Sequence, residues 1–295
     1  MNGTSQTYII GVDGGGTGCR AAIGTASAGI LAMAQGGRAN VSSDPDEAIR
    51  NVTAAISSAA SSINIDKVAL SGAVAHLGLA GVMSAADSQR VASAFPFKST
   101  IVTDDKPTAV VGALGGQDGF LVSLGTGSIL AASHDDKFRS VGGWGLQISD
   151  HGSGAWLGRA ILEQTMLCFD GVTPHSDLTQ AILADFDQDP NAIVAFSITA
   201  KPGDFATLAP MVLEAADAGD AVGVMLMRQG AVHIAQGLRA LGFQSGDRLC
   251  ITGGVGPFYV GFLTPDILSG QVKASGTALD GAFHLARSLM QPSGE

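Results

Sequence analysis

Two short glycine-rich segments constrain this chain more than any other feature. Gly11-Val12-Asp13-Gly14-Gly15-Gly16-Thr17-Gly18-Cys19-Arg20 and Ser123-Leu124-Gly125-Thr126-Gly127-Ser128 each sit between two short apolar runs, so each reads as strand, glycine turn, strand. In the first, Gly14, Gly15 and Gly16 can adopt positive φ and place no Cβ in the way of a phosphate, while the Thr17 hydroxyl can donate to an oxyanion. Arg20 joins this set from the following strand. Asp13, at the end of the first strand, is placed to hold Mg2+ directly or through water. In the second, Gly125, Thr126, Gly127 and Ser128 repeat the arrangement. A plain tight hairpin would use the same residue types. The two turns lie about 110 residues apart, which is what a triphosphate gripped once from each of two domains needs. A third segment, Ile251-Thr252-Gly253-Gly254-Val255-Gly256, brings a strand into Gly253 and Gly254, where bare backbone can take a flat adenine and its ribose. An ordinary strand-to-helix turn is the competing reading of that segment, but all three in this order are much rarer than any one.

The chain of 295 residues, 46% hydrophobic and 14% charged, has enough apolar content for one large core or two ordinary ones. With 16 Lys and Arg against 26 Asp and Glu, its formal charge of −10 repels a nucleic-acid backbone or an anionic membrane. Neither is expected as a partner. Cys19, Cys168 and Cys250 are too far apart for a disulfide framework or zinc cluster, which fits a reducing cytoplasm. The opening residues lack the basic start and long apolar run of a signal peptide, and no stretch reaches a membrane span's length.

Periodicity gives the order of elements. Strands are predicted at Tyr8 to Val12, Arg20 to Gly24 and Ile30 to Ala34, followed by a helix capped by Ser43 with Pro45 in its first turn. A strand at Val74 to Ala80, a helix near Ser84 to Ala94, a strand at Thr100 to Thr103 and a helix entered through Pro107 complete a βββαβαβα cycle. A second cycle opens at Gly119 with strands Phe120 to Leu124, Ile129 to Ala132 and Phe138 to Val141. Helices are predicted at Gly154 to Phe169, Asp204 to Ala216 and Ala221 to Leu241, then a strand at Leu249 to Thr252 and a closing helix at Leu279 to Leu289. The predicted domains are residues 1–115 and 116–295, with the last helix free to pack back on the first. The absence of a low-complexity linker suggests halves that hinge around a cleft, with Gly115 and Gly116 absorbing the rotation.

The three glycine segments resemble the phosphate-1, phosphate-2 and adenosine motifs of the sugar kinase, actin and heat-shock chaperone superfamily. More narrowly, GVDGGGTGCRAAI, the aspartate pair in IVTDD, SLGTGS and GGWGLQISDHGSGAWLG are similar to the N-acetylglucosamine kinase and bacterial glucosamine kinase family, which is BadF/BadG/BcrA/BcrD ATPase-like. GVTPHSDL, NAIVAFSITAKPGDFATLAP and TALDGAFHLA are similar to stretches of bacterial glucosamine kinases. The resemblance implies an α/β, two-domain actin-like ATPase (ribonuclease H-like) fold with a duplicated βββαβαβα core. It implies transfer of the ATP γ-phosphoryl group to the 6-hydroxyl of glucosamine or N-acetylglucosamine, with ATP and Mg2+ as cofactors and a homodimer as the assembly.

Residue by residue, Asp104 matches the family's catalytic base, which takes the acceptor hydroxyl's proton as the P–O bond forms. Asp105 is the adjacent rival, and a helix N-cap is the bland alternative for the pair. Asn40 matches a sugar-binding asparagine, and an amide that donates and accepts suits vicinal hydroxyls. Asp150 matches a second sugar-binding carboxylate, and its bland alternative is an N-cap of the next helix, whose N-terminus is expected to face the cleft. Gly143 and Trp144 can offer backbone and a flat apolar face to the sugar ring, although a buried core Trp reads alike. This chain departs from the family pattern at Ile129 and His151, both near the expected 2-substituent. The other histidines read as surface or satisfied core residues. Two further classes remain open: an ATPase activating 2-hydroxyacyl-CoA dehydratases, which would need a cysteine-ligated cluster, and a non-catalytic sugar- or nucleotide-binding regulator.

Overall fold

The computed structural model describes residues 7–135 and 137–290. They divide into two compact units: the chain up to Asp118 together with the segment from Ala274, and Gly119–Lys273. The first unit contains β1 (Ile9–Gly14), β2 (Cys19–Thr25), β3 (Gly29–Gly36), α1 (Pro45–Ser62), α2 (Lys67–Ser71), β4 (Val74–Leu79), α3 (Ala85–Ser93), β5 (Ser99–Thr103) and α4 (Asp105–Leu114). The second contains β6 (Gly119–Leu124), β7 (Ser128–His134), β8 (Lys137–Gly142), α5 (Gly154–Phe169), α6 (Asp177–Asp185), α7 (Pro190–Thr199), α8 (Pro202–Ala206), α9 (Ala209–Asp217), α10 (Ala221–Leu241), β9 (Leu249–Thr252), a 3₁₀ turn at Gly256–Gly261, α11 (Pro265–Leu268) and β10 (Gln271–Val272). The last helix, α12 (Ala278–Ser288), belongs to the first unit.

The two sheets share one plan. The first has strand order β3-β2-β1-β4-β5 and the second β8-β7-β6-β9-β10, with the first strand of each antiparallel to the second and parallel to the fourth. In the first unit, β1 and β4 are buried along almost their whole length while edge strand β3 alternates, as expected when helices cover both faces of the central strands. One face packs against α1 and the other against α12, which also packs on α4. Gly112 and Gly281 make that last approach possible: a Cβ on Gly112 would lie 1.9 Å from the Thr277 carbonyl oxygen, and one on Gly281 2.0 Å from that of Thr108. The second unit's core is larger and mostly helical, with Trp156, Ile161, Ile182, Val212, Ile234 and Leu238 packed together.

Local chemistry departs from the sequence reading in several places. Asp44, not Ser43, caps α1, because its carboxylate accepts from the Glu47 N–H. The single helix predicted over Asp204 to Ala216 is two, α8 and α9, separated at residues 207–208 ahead of Pro210. Helices α6 and α7 lie in a stretch that the periodicity left unassigned. The domain limits at 115/116 shift to 118/119.

Candidate functional site

The β1–β2 turn closes on itself, with the Gly15 N–H donating to the Gly18 carbonyl at 2.9 Å. Contrary to the sequence expectation, Gly14, Gly15 and Gly16 are not in the positive-φ region. Their lack of a side chain acts through space instead. A Cβ on Gly14 would strike Leu79 and Ala39, whereas one on Gly16 would have nothing within 4 Å, so the tip is open backbone. Thr17 is exposed beside it. Asp13 and Arg20 face each other across the β1–β2 register and form an ion pair. With Gly15, Thr17, Gln35 and Gly36 they line a polar pocket of about 430 Å3.

Backbone bonds of its two neighbours hold Asn40 between this turn and the end of β4: Ala39 N–H donates to Gly15 O and Val41 N–H to Ala80 O. The Asn40 Oδ1 already accepts from the Ser42 N–H, the Ser42 hydroxyl and the Ser43 N–H. The expected two-way amide is therefore reduced to its NH2 donor.

Asp104 stands just past the end of β5 as the N-cap of α4. Its Oδ1 accepts from the Lys106 N–H because the next residue, Pro107, has none, and its Oδ2 lies 3.3 Å from Lys106 Nζ. The capping and catalytic readings thus fall on the same carboxylate, about one-third exposed to solvent. Asp105 is exposed. The protein mass around it, then the charge of Asp104, hold its carboxyl above the usual range, with Asp13 adding a smaller push and Lys106 opposing. Asp13, Asp104, Asp105 and Lys106 are thus one electrostatic group in the first unit.

In the second unit the Gly125–Ser128 turn is braced by helix α5. Gly125 O accepts from Gly154 N–H and Thr126 O from Ala155 N–H, while Ser153 Oγ accepts from Trp156 N–H. These bonds use the first N–H groups of α5, which are therefore occupied by the turn itself. A Cβ on Gly125 would meet nothing within 4 Å. Thr126 is exposed, and Ser128 is buried. Gly253 has φ 84°, and a Cβ there would lie 2.2 Å from Leu124 O, whereas Gly254 is open.

Asp150 is not an N-cap, since Ser153 caps α5. It is 7% exposed, has φ 59°, and its Oδ1 is buried without a hydrogen-bond partner. A Cβ on Gly127 would lie 2.9 Å from its Oδ2. Burial pushes its carboxyl upward, opposed by backbone groups of Gly145 and Ser128 and by His151. Left-handed backbone on a buried non-glycine residue is costly and concentrates at working sites. Gly143, at φ 73°, leads into Trp144, which is 70% exposed and so is not a core residue. The buried tryptophan is Trp156. Trp144, Ser128, Ser149, His151, His233 and Gln236 line a pocket of about 390 Å3. His151 and His233 are in ring contact at 4.1 Å, an arrangement nothing in the sequence spacing suggested. Burial, then the charge of His151, lowers the His233 pKa.

The pattern of the BadF/BadG/BcrA/BcrD ATPase family matches residues 10–267. The chain belongs to that family. A glucosamine kinase of Vibrio cholerae is 33% identical to this BadF/BadG/BcrA/BcrD-type chain over 95% of its length and 96% of the kinase's own. A solved Chromobacterium violaceum structure, assigned as an N-acetylglucosamine kinase, shares 35% identity and a TM-score of 0.83, covering 96% of this chain and 99% of that one. A ROK family glucokinase of Streptomyces griseus, solved with glucose and AMPPNP, has a TM-score of 0.54 at 19% identity, covering 95% of this chain and 99% of that one. That likeness concerns fold alone. The fold is thus the two-domain α/β arrangement of actin-like ATPases and sugar kinases. Among the described residues no helix is long and apolar enough to cross a membrane.

Proposed function

We propose that this chain is an ATP-dependent amino-sugar kinase that transfers the γ-phosphoryl group to the 6-hydroxyl of glucosamine or N-acetylglucosamine. The observation that carries the reading is the Asp104 carboxylate, held by the Lys106 N–H and ammonium at the mouth of α4 in the same unit as an open glycine turn. End-to-end similarity to a glucosamine kinase supports it.

Phosphoryl transfer asks mostly for positioning and charge stabilisation, with one group to take the acceptor's proton. Asp104 accepts that proton as the sugar oxygen attacks. Lys106 fixes the direction of the carboxylate. The open backbone of Gly15 and Gly16, the Thr17 hydroxyl and Arg20 receive phosphate oxygens in the first unit. Gly125, Thr126, Gly127 and Ser128 do so in the second, and Gly253 and Gly254 receive the adenosine. The NH2 of Asn40 donates to a sugar hydroxyl, Asp150 accepts from one, and Gly143 and Trp144 give the ring its backbone and apolar contacts. The donor set fits Mg2+: Asp13, Asp104 and Asp105 outnumber Arg20 and Lys106, and Mg2+ is commonly held by one or two carboxylates plus phosphates. Asp13 would hold the ion directly or through water, and its chemistry there is neutralisation of phosphate charge. The dehydratase-activator reading is less supported, because Cys19, Cys168 and Cys250 are all buried, each in a different element.

The test is sugar-dependent ADP release with glucosamine, N-acetylglucosamine, glucose and N-acetylmannosamine. Turnover with an amino sugar and a 6-phosphate product supports the reading. ADP release that no sugar accelerates would overturn it.

A further inference from the structure

The mechanism makes no use of His76, yet this residue sits in the middle of the otherwise apolar β4, Val74-Ala75-His76-Leu77-Gly78-Leu79, and is 4% exposed. Burying an imidazole in such a strand costs free energy unless it is neutral and hydrogen-bonded. Its Nε2 lies 3.1 Å from the Thr103 hydroxyl on the neighbouring parallel strand β5. The same hydroxyl donates to the carbonyl oxygen of Asp104 at 2.7 Å. A threonine hydroxyl has one proton, and a carbonyl can only accept, so that proton is committed to Asp104 O. The contact with His76 therefore requires the imidazole to donate, which assigns the Nε2–H tautomer. Burial lowers the pKa of the ring to about 4, so it holds this proton as a neutral group at ordinary pH.

We infer that His76 is a positioning residue for phosphoryl transfer: through Thr103 it orients the peptide that carries the Asp104 carboxylate. The chain Nε2–H to Oγ1 to C=O runs from the core of the first unit to the residue at which β5 ends and α4 begins. The Asp104 carboxylate is one-third exposed and is held from its own helix by the Lys106 N–H and ammonium, so the relay adds a backbone brace that reaches it from the core. Orientation of the backbone at Asp104 sets where its carboxylate points, and a shift of about 1 Å in a catalytic group can cost on the order of 10²-fold in rate. The role of the relay in catalysis rests on Asp104 being the base, as proposed above.

The experiment combines substitution with NMR of the full chain. Thr103→Val removes the relay's hydroxyl while keeping its shape. It is expected to lower kcat by about 10-fold or more with KM for ATP nearly unchanged and to move the Asp104 amide and carboxyl resonances. Thr103→Ser restores both. His76→Gln, which keeps an N–H donor, should retain more of kcat than His76→Leu, and His76→Leu should add little to Thr103→Val. The ¹⁵N spectrum should show His76 as the Nε2–H tautomer. A Nδ1–H tautomer, or Asp104 resonances unmoved in a folded Thr103→Val protein, overturns the relay. A wild-type kcat in that variant overturns its catalytic role. Should the wild type phosphorylate no sugar, the functional reading falls, while the resonances still decide whether the relay exists.

Discussion

The two glycine turns look alike in sequence and differ in their surroundings. Both close on themselves, Gly15 N–H donating to Gly18 O and Gly125 N–H to Gly127 O, but in the first unit the outside brace is the loop N–H of Ala39, and the acidic neighbour Asp13 is partly exposed and paired with Arg20. In the second, helix α5 docks its first N–H groups into the turn's carbonyls, and its acidic neighbour Asp150 is buried on strained backbone with one oxygen unpaired. The first turn is thus an open, charged rim and the second a rigid one built on a helix. The same motif can serve either design because a strand–glycine–strand segment specifies only absence of side chains. What surrounds it decides the electrostatics.

The contrast breaks first at the carboxylates. Asp104→Asn is expected to lower kcat by roughly 10²-fold or more with ATP binding nearly intact, the usual scale for a lost general base, and Asp105→Asn much less. Sugar-dependent ADP release and nucleotide titration measure both, and a larger effect at Asp105 would move the base to that residue.

Rigidity in the second unit is sharpened by a glycine pair. Gly253→Ala forces a Cβ against Leu124 O at a φ of 84° and should cost about 2–4 kcal/mol in urea unfolding, whereas Gly254→Ala, with open space around it, should cost little. Equal losses at the two positions would show that the turn yields where the structure holds it tight.

Acid should act through His76 and Asp150, one buried group in each unit, with opposite signs. His76 binds its proton more weakly folded than unfolded, so its contribution is present above the unfolded pKa near 6.5 and is lost as pH falls toward about 4. The full loss is on the order of 3 kcal/mol, and a pH series of unfolding midpoints should lose this slope in His76→Gln. Asp150 is shifted upward, so its proton is held more tightly in the folded state; its contribution is present at low pH and is lost as pH rises through the folded value. Asp150→Asn should therefore leave stability at pH 7 unchanged or improved, since asparagine tolerates left-handed backbone and carries no buried charge. The same substitution should raise KM for the sugar by about 10-fold and leave KM for ATP nearly unchanged. A loss of stability at pH 7 without a change in KM would make Asp150 a structural residue.

Strand and helix identity along most of the chain was legible because periodicity is local: α5, α10 and β9 begin and end where the pattern predicts. The cap of α1 was misplaced by one residue because Ser43 and Asp44 are both good caps and only geometry chooses between them. The break between α8 and α9 was hidden because the apolar spacing runs on across it. Among candidate site residues, the glycines were legible by residue type, and Asp104 only through the resemblance of its motif, with Asp105 as its rival. The pairing of Lys106 with Asp104, the fixing of the Asn40 carbonyl and the His151–His233 stack were not legible.

By itself the sequence determined where bare backbone and carboxylates occur, because those are properties of single residues and short turns. It could have flagged His76, a polar residue inside an apolar strand, though not what that residue does. Only the tertiary structure decided that the N–H groups of α5 are spent on the second glycine turn, that Asp150 is buried and strained, and that His76 reaches Asp104 through Thr103. Each of these joins residues that lie on different elements or depends on backbone angles set by packing, and distance along the chain carries no information about either.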